Sequence, residues 1–544
     1  MKNINELLRK VPGSLLRGKL EGEITELVYD SRKITDGCAF VCLKGASFDG
    51  HTFAAEAAAK GARLIVVEDD VDLSQAADAS QTAGASQAAD ASQAADVSQA
   101  ADASQAADAS QTTDASQTAD QAGNLADVIV YKTENTRIAL AELSAAYFDY
   151  PAEELKVIGI TGTKGKTTST FMVKAILEDA GHDVGLIGTI GTEIHGELVP
   201  SGNTTPESYV IQESFRKMLD AGCDVCVMEV SSQGLMMHRT DAIPFEIGVF
   251  TNITPDHIGP NEHASFEEYM ACKALLFKQC KVGIFNYDDP HCADMMKDAT
   301  CKKETFGINE GADLHAANLE LEHTPGRLGI AFDMEGILEG HVDVAQPGRF
   351  SVYNALTAIA VARHFDVPYA DIVKAMASIK VKGRIELVHV SDRFSIMIDY
   401  AHNAVALESL LGTLREYHPK RLVCIFGCGG NRSKLRRFEM GEVSGKLADL
   451  TIITSDNPRF EEPADIMADI ETGIKKTTGA YIKVEDRGEA VYQALKNAQD
   501  GDVIVLAGKG HEDYQEIKGV KHHMDETELI MAARERVLAE DGRI

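Results

Sequence analysis

The run Gly162-Thr163-Lys164-Gly165-Lys166-Thr167-Thr168 follows an apolar stretch, LKVIGIT, and precedes an amphipathic helical pattern. Glycines let a backbone wrap a phosphate, and the helix N-terminus behind them favours negative charge. In such a loop Lys166 is expected at the terminal phosphates of a nucleotide and Thr167 on Mg²⁺. The spacing departs from the strict G-x-x-x-x-G-K-[ST], because Gly159 lies one residue too far away. Two more groups have chemical potential: Glu229 in MEVSS, and Asn252, Asp256 and His257 in FTNITPDH. Both fall at expected strand C-termini, on the edge that faces such a loop. Magnesium prefers hard oxygen ligands, which makes Glu229 a natural one. Taken alone, a carboxylate at a strand end is more often merely solvated.

These residues need a sheet to hold them. Strands are expected at LKVIGIT, CDVCVMEV, EIGVFTN and VGIFNYDD, separated by helical patterns. That alternation implies a largely parallel sheet covered by helices. A second alternation begins near Ile385, with SIMIDYAH, LVCIFGCGG, LTIITSD and DVIVLAGKG. It implies a separate doubly wound domain whose glycine-rich strand ends bind ligands. An N-terminal α/β domain is expected to carry an insert. From Ser74 to about Gly123 the unit S-Q-A-A-D-A, with single-position variations in some copies and more in others, repeats eight times with period six. The repeats hold seven Asp, no Lys or Arg, and nothing larger than Val97 to bury. Such a tract cannot offset its ordering entropy, and a passive insertion is expected. Its flanks, GARLIVVED and ADVIVYK, are expected as adjacent strands. The N-terminal MKNINELLRKVPGSLL is expected as one short amphipathic helix.

The chain has 544 residues and a formal net charge of −31. Length implies about three domains. The charge argues against nucleic acid and anionic membrane as partners. No apolar run approaches the roughly 20 residues of a membrane span, and no secretory signal is evident. Cys223 and Cys226 form the one C-x-x-C, inside an apolar run, where two core residues are the simpler reading than a redox or zinc pair. These features imply a reducing, cytoplasmic location.

The shorter loop form G-x-x-G-K-T-T resembles the ATP loop of the Mur ligase family of peptidoglycan synthesis. YDSRKITDGCAFVCLKGASFDGHTF, SGNTTP, EVSSQGLMMHR, YMACKALLF, NYDDP, GRIELV, DYAHNA, FGCGGNR, SDNPR and AGKGHEDYQ follow in family order. The likeness covers nearly the whole chain outside the insert and is closest to the MurE type. It implies three α/β domains: 1–154 binding a uridine nucleotide, 155–382 a central P-loop ATPase, and 383–544 a Rossmann-like domain binding an amino acid. It implies an ADP-forming ligase in which ATP phosphorylates a substrate carboxylate and an amine attacks the acyl phosphate. Lys166, Glu229, His257 and a carbamylated Lys273 would serve catalysis, and Thr167, Glu229, His257 and Lys273 would serve Mg²⁺. ATP contacts would come from Gly162 to Thr168, Asn354, Arg384 and Asp399. Ser31, Arg32, Asn203, Thr204, Thr205, Ser231 and Arg239 would hold UDP-MurNAc-dipeptide.

The amino acid would meet Arg432, Asp456, Asn457, Pro458, Arg459, Gly508 and Glu512. Arginine in D-N-P-R resembles the meso-diaminopimelate type, whose second carboxylate a guanidinium can bind bidentately. L-Lysine is the near alternative. A folylpolyglutamate synthetase-like ligase and a non-catalytic ATP-binding regulator are more distant ones. A monomer acting on small molecules is expected. The chain departs from the family pattern at Gln233, at Gly259-Pro260, at Asn403-Ala404, and at Asn431 and Ser433, which bears on substrate contacts.

Overall fold

The computed structural model describes residues 1–45, 48–74, 127–259, 262–324, 327–542 and 544. Apart from Ser74, the repeats lie outside them. The described residues form two compact units. One comprises 1–164, 182–283 and 293–303, and the other 165–181, 284–292 and 304–544. Among the described residues no helix is long and apolar enough to cross a membrane.

The first unit opens on helix Ile4–Leu7, capped by Asn3, and a 3₁₀ turn Leu8–Lys10. The helix is shorter than expected. Pro12 and Gly13 end it, and Ser14–Arg17 is an edge strand paired with Ile129–Lys132. Gly13 is required there, since a Cβ would lie 2.3 Å from the Lys132 carbonyl oxygen. The sheet runs Ser14–Arg17, Ile129–Lys132, Leu64–Val67, Ala39–Val41, Leu27–Val28. Strands Leu64–Val67 and Ile129–Lys132, the flanks of the repeats, are neighbours as expected. They are parallel, with Leu64 opposite Ile129. Alternate side chains feed two cores: Leu64 and Val66 meet Leu140 and Leu143, while Ile65 and Val67 meet Ala54 and Ala57.

The same unit holds the strands Val184–Ile187, Val225–Glu229, Lys156–Thr161 and Phe245–Phe250, in that order and all parallel. Strands Thr192–Ile194 and Glu197–Val199 extend this edge antiparallel. Cys226 is buried in its strand, and all ten cysteines are free thiols.

In the second unit, helix Lys166–Asp179 packs on helices Arg349–Arg363 and Tyr369–Ser378. An antiparallel ladder of Leu314–Thr324, Arg327–Gly336 and Gly340–Val344 was not anticipated from the sequence. The expected doubly wound sheet is present. Strands Ser395–Asp399, Asp502–Ala507, Arg421–Phe426, Leu450–Ile453 and Ala480–Lys483 are all parallel. Its two faces carry separate apolar cores. A hairpin of Tyr514–Ile517 and Val520–His523 follows its central strand.

Candidate functional site

The phosphate loop begins where strand Lys156–Thr161 ends and gives way to a helix at Lys166. Gly162 (φ +152°) and Gly165 (φ +85°) hold conformations that L side chains rarely adopt. A Cβ on Gly162 would also strike Thr251 Oγ1, and one on Gly165 the Asn354 side chain. Neutral groups brace the loop. Asn252 Oδ1 accepts from Lys164 N–H and its Nδ2 donates to Lys164 C=O, each at 2.9 Å. Thr251 Oγ1 donates to the same carbonyl at 2.8 Å. The run FTNITPDH therefore flanks the loop as its position implied, with Asn252 as a brace. Thr167 and Thr168 are buried in the first helical turn. Asn354 is buried and lies 3.2 Å from Ser169 Oγ, so in this structure it supports the helix behind the loop.

Lys273 is not the exposed helix lysine its surroundings in sequence would suggest. It is buried, its Nζ donates to Gly162 C=O at 3.0 Å, and it lies 4.6 Å from the centre of the Tyr269 ring. Tyr269 OH is 3.1 Å from Thr163 Oγ1, and burial pushes its hydroxyl up to about 12. The same ring neighbours His257 and His263. His257 is exposed, has φ +53° and lies 3.2 Å from Glu262. His263 is buried, contacts Ser232 Oγ at 2.9 Å and is pushed down by desolvation. Thr163, His257 and Lys273 thus gather around one tyrosine.

Glu229 is buried at the end of its strand. Its carboxylate accepts from Thr189 N–H at 2.9 Å and from Thr189 Oγ1 at 3.1 Å. Gly188 makes room for it, because a Cβ there would lie 2.4 Å from Oε1. A buried carboxylate at a strand end suits a hard divalent cation. Thr189 Oγ1 reaches Thr204 at 3.0 Å, and Thr205 Oγ1 donates to Glu229 C=O. Ser231 caps helix Ser232–Met236, and Arg239 donates to Thr205 C=O at 2.9 Å. Arg239 and Arg137 also approach Glu207, at 3.4 and 3.6 Å. Asn203, Glu207 and Tyr29 line a cavity of about 730 Å³. Ser31 and Arg32 begin a 3₁₀ turn two residues on; Arg32 is exposed and donates three hydrogen bonds to Asp30, two from its side chain and one from its N–H, which hold that carboxyl below its usual range.

In the doubly wound sheet, Arg384 stacks on Tyr400, 5.0 Å from the ring centre. Asp399 accepts from Ile385 N–H and Ala401 N–H; desolvation raises its carboxyl, with Arg384 opposing. His511 lies against Tyr400 and is pushed down to about 4, chiefly by desolvation and then by Arg384.

The motif Asp456 to Arg459 forms a charged corner. Lys509, fully buried, donates to Asn457 Oδ1 and to Glu512 Oε2, each at 2.9 Å. Asn457 Nδ2 donates to the same Glu512 oxygen at 2.9 Å. Gly508 (φ +113°) leaves space beside Asp456. Pro458 lies against Gly430, where a Cβ would clash with the proline carbonyl. Arg459 and the exposed Arg432 flank Gly429. Arg459 pairs with Glu516 at 3.0 Å. Sequence reasoning missed Thr189, Tyr269, Lys509 and Glu516. Lys509 had a local signal, a lysine three residues before Glu512. Of the departures from the family pattern, Asn403 caps helix Ala404–Glu416, and Asn431 accepts from Phe460 N–H.

The chain matches models of the Mur ligase family catalytic domain over 23–148, the Mur ligase middle domain over 160–362, and the Mur ligase glutamate ligase domain over 383–510. It is 38% identical over 534 residues to a UDP-N-acetylmuramoyl-L-alanyl-D-glutamate–2,6-diaminopimelate ligase of Clostridium perfringens, covering 97% of this chain and 98% of that one. A protein of the same name from Bacillus licheniformis is 38% identical over 539 residues, with 97% of each chain covered. A solved structure of a ligase of that name superposes with a TM-score of 0.67 at 26% identity, over 98% of this chain and 99% of that one.

Proposed function

This chain belongs to the Mur ligase family, and from that premise we propose that it adds meso-diaminopimelate to UDP-N-acetylmuramoyl-L-alanyl-D-glutamate, with ATP consumed. The single observation that carries the amino acid is Arg459 at the fourth position of Asp-Asn-Pro-Arg, held beside Gly429 and Gly430 at a parallel-sheet edge. Diaminopimelate has a distal carboxylate that lysine lacks, and an arginine fork reads carboxylates. The names of the relatives support the same substrate.

In this reading the γ-phosphoryl group passes to the substrate carboxylate. The amine then attacks the acyl phosphate, an amide forms, and ADP and phosphate leave. Positioning and charge neutralisation supply the catalysis. The loop glycines present N–H groups to the phosphates, and Lys166 offsets their charge. Thr167, Glu229, His257 and a carbamylated Lys273 would hold magnesium. When bound it would neutralise charge on the transferring group. Asn203, Thr204, Thr205, Ser231 and Arg239 would orient the muramoyl peptide, with Ser31 and Arg32 at the uridine end. Asn354, Arg384 and Asp399 would hold ATP. Arg432, Asp456, Asn457, Pro458, Gly508 and Glu512 would take the amino acid with Arg459. The three family matches support domains near 1–154, 155–382 and 383–544. A cytoplasmic monomer completes the reading, consistent with ten free thiols.

The test is phosphate release by the purified chain given ATP and UDP-MurNAc-dipeptide with each amino acid. Release that requires diaminopimelate supports the proposal. Preference for L-lysine would overturn the substrate while leaving the family intact.

A further inference from the structure

We infer that Glu516 is a specificity-determining residue, a resident counter-ion of Arg459 that softens the separation of diaminopimelate from lysine; the inference rests on the amino-acid reading above. Arg459 is not an empty fork. Its Nε donates to Glu516 Oε2 at 3.0 Å and a terminal nitrogen donates to Gly430 C=O at 2.9 Å.

The backbone builds this pair. Arg459 N–H donates to Glu516 C=O at 3.0 Å, and Lys518 N–H donates to Arg459 C=O at 2.7 Å. Glu516 N–H donates to Asn457 Oδ1 at 2.9 Å. Arg459 has φ +53°, a conformation a bulky residue holds only when its surroundings enforce it. Both side chains keep about a quarter of their exposure, 23% and 24%. Glu512 differs, because Lys509 and Asn457 already hold one of its oxygens.

The consequence follows from charge. Bidentate recognition needs two parallel N–H groups on one edge of the guanidinium. Glu516 takes the Nε side, so a distal carboxylate meets a fork already shared with a like charge. A distal ammonium meets an acceptor, and Arg459 is not stranded when lysine binds. Glu516 therefore opposes the discrimination that Arg459 provides.

The experiment measures steady-state phosphate release by the full chain, with diaminopimelate and with L-lysine. The variants are Glu516→Gln, Glu516→Ala, Arg459→Ala and Arg459→Ala/Glu516→Gln. Glu516→Gln should lower KM for diaminopimelate by up to about fivefold, the scale of a partly exposed ion pair. It should lower kcat/KM for lysine by a similar factor. Glu516→Ala should move KM for diaminopimelate in the same direction, and the gain should vanish in the Arg459→Ala background. A KM for diaminopimelate that rises or stays the same in both Glu516 variants would make Glu516 a brace for Arg459 and overturn the inference. So would an equal fall without Arg459. Failure of the substrate reading shows separately, as wild type that does not prefer diaminopimelate.

Discussion

The phosphate loop and the Asp456–Arg459 corner both follow parallel strands, but they are held in different ways. The loop is shaped by its own glycines and braced by neutral groups, Thr251 and Asn252, on the next strand's end. The corner is a lattice of charges. Lys509 binds Glu512 and Asn457, Arg459 binds Glu516, and the buried Arg437 binds Glu461 and Asp469. A loop of the first kind is held by backbone and neutral side-chain hydrogen bonds, some of them from its own N–H groups to Asn252. A corner of the second kind has already matched its charges, so a ligand must compete with internal partners. Loss of one loop group should therefore remove catalysis, while loss of one corner group should redistribute affinity.

The largest effect is expected at Lys166. Lys166→Ala should lower kcat by on the order of 10²–10³ or more, the scale for removing one preorganised electrostatic donor, with melting temperature unchanged. Ligation at near wild-type rate would end the ATP-site assignment. Next is Lys273, a buried cation among otherwise neutral braces. Lys273→Ala should cost on the order of a hundredfold in kcat, and added short carboxylates should restore part of it. Labelled CO₂ should give a carbamate signal that the variant lacks. Full activity without that signal would mean that the ammonium braces Gly162 as it stands, and the contrast between loop and corner would blur.

That contrast also explains what the sequence could reveal. The loop was legible because strand, glycines, lysine and helix lie within a short run. Glu229 was legible as a carboxylate at a strand end, but its holder Thr189 is forty residues away. The corner's motif was visible, while its wiring was not: Lys509 to Asn457 spans 52 positions and Arg459 to Glu516 spans 57. The buried state of Lys273 was hidden because the loop residue it meets, Gly162, lies 111 positions away, although Tyr269 stands one turn earlier on the same helix. The parallel strands were legible as apolar runs bounded by glycine. The ladder from Leu314 lies outside the expected strands because only Leu314 to Ala316 are buried, and the rest of the strand is intermediate or exposed with no period-two apolar face. The N-terminal helix is shorter than its apolar pattern, because Leu15 and Leu16 continue that pattern past Pro12.

A smaller effect is expected at Lys509, where the corner's wiring can be cut without touching the motif. Lys509→Met keeps the volume and removes the charge. It should raise KM for the amino acid by about ten- to thirtyfold, the worth of hydrogen bonds to a charged group. The change in kcat should be smaller. Lys509→Arg should recover little, because the cage around Nζ is sized for an ammonium. An equal loss in KM for ATP would show a general collapse of the sheet edge.

The smallest effect is expected from deleting Ser74 to Gly123, which should leave both regions untouched. The chain is anchored up to the point of the cut. Lys132 pairs with Asp70, Lys44 with Glu68 and Asp69, and Leu73 is buried in the apolar core with Val71 against it. The strands on either side are parallel, so the connection must return along the sheet and cannot be a tight turn. A four-residue strand is about 13 Å long. Residues 68–73 stay where they are anchored, so the return is made by residues 124–126, at up to about 3.3–3.6 Å each when extended, and by the joint. A short Gly/Ser joint added to them is therefore long enough for the crossover. Closing a shorter loop costs less entropy, which favours the deletion by about 1 kcal/mol. Melting temperature should stay level or rise slightly, and KM for the uridine nucleotide and kcat should not change. A clear fall in melting temperature or in nucleotide affinity would show that the repeats contribute structure to the first sheet, and the passive reading would be lost.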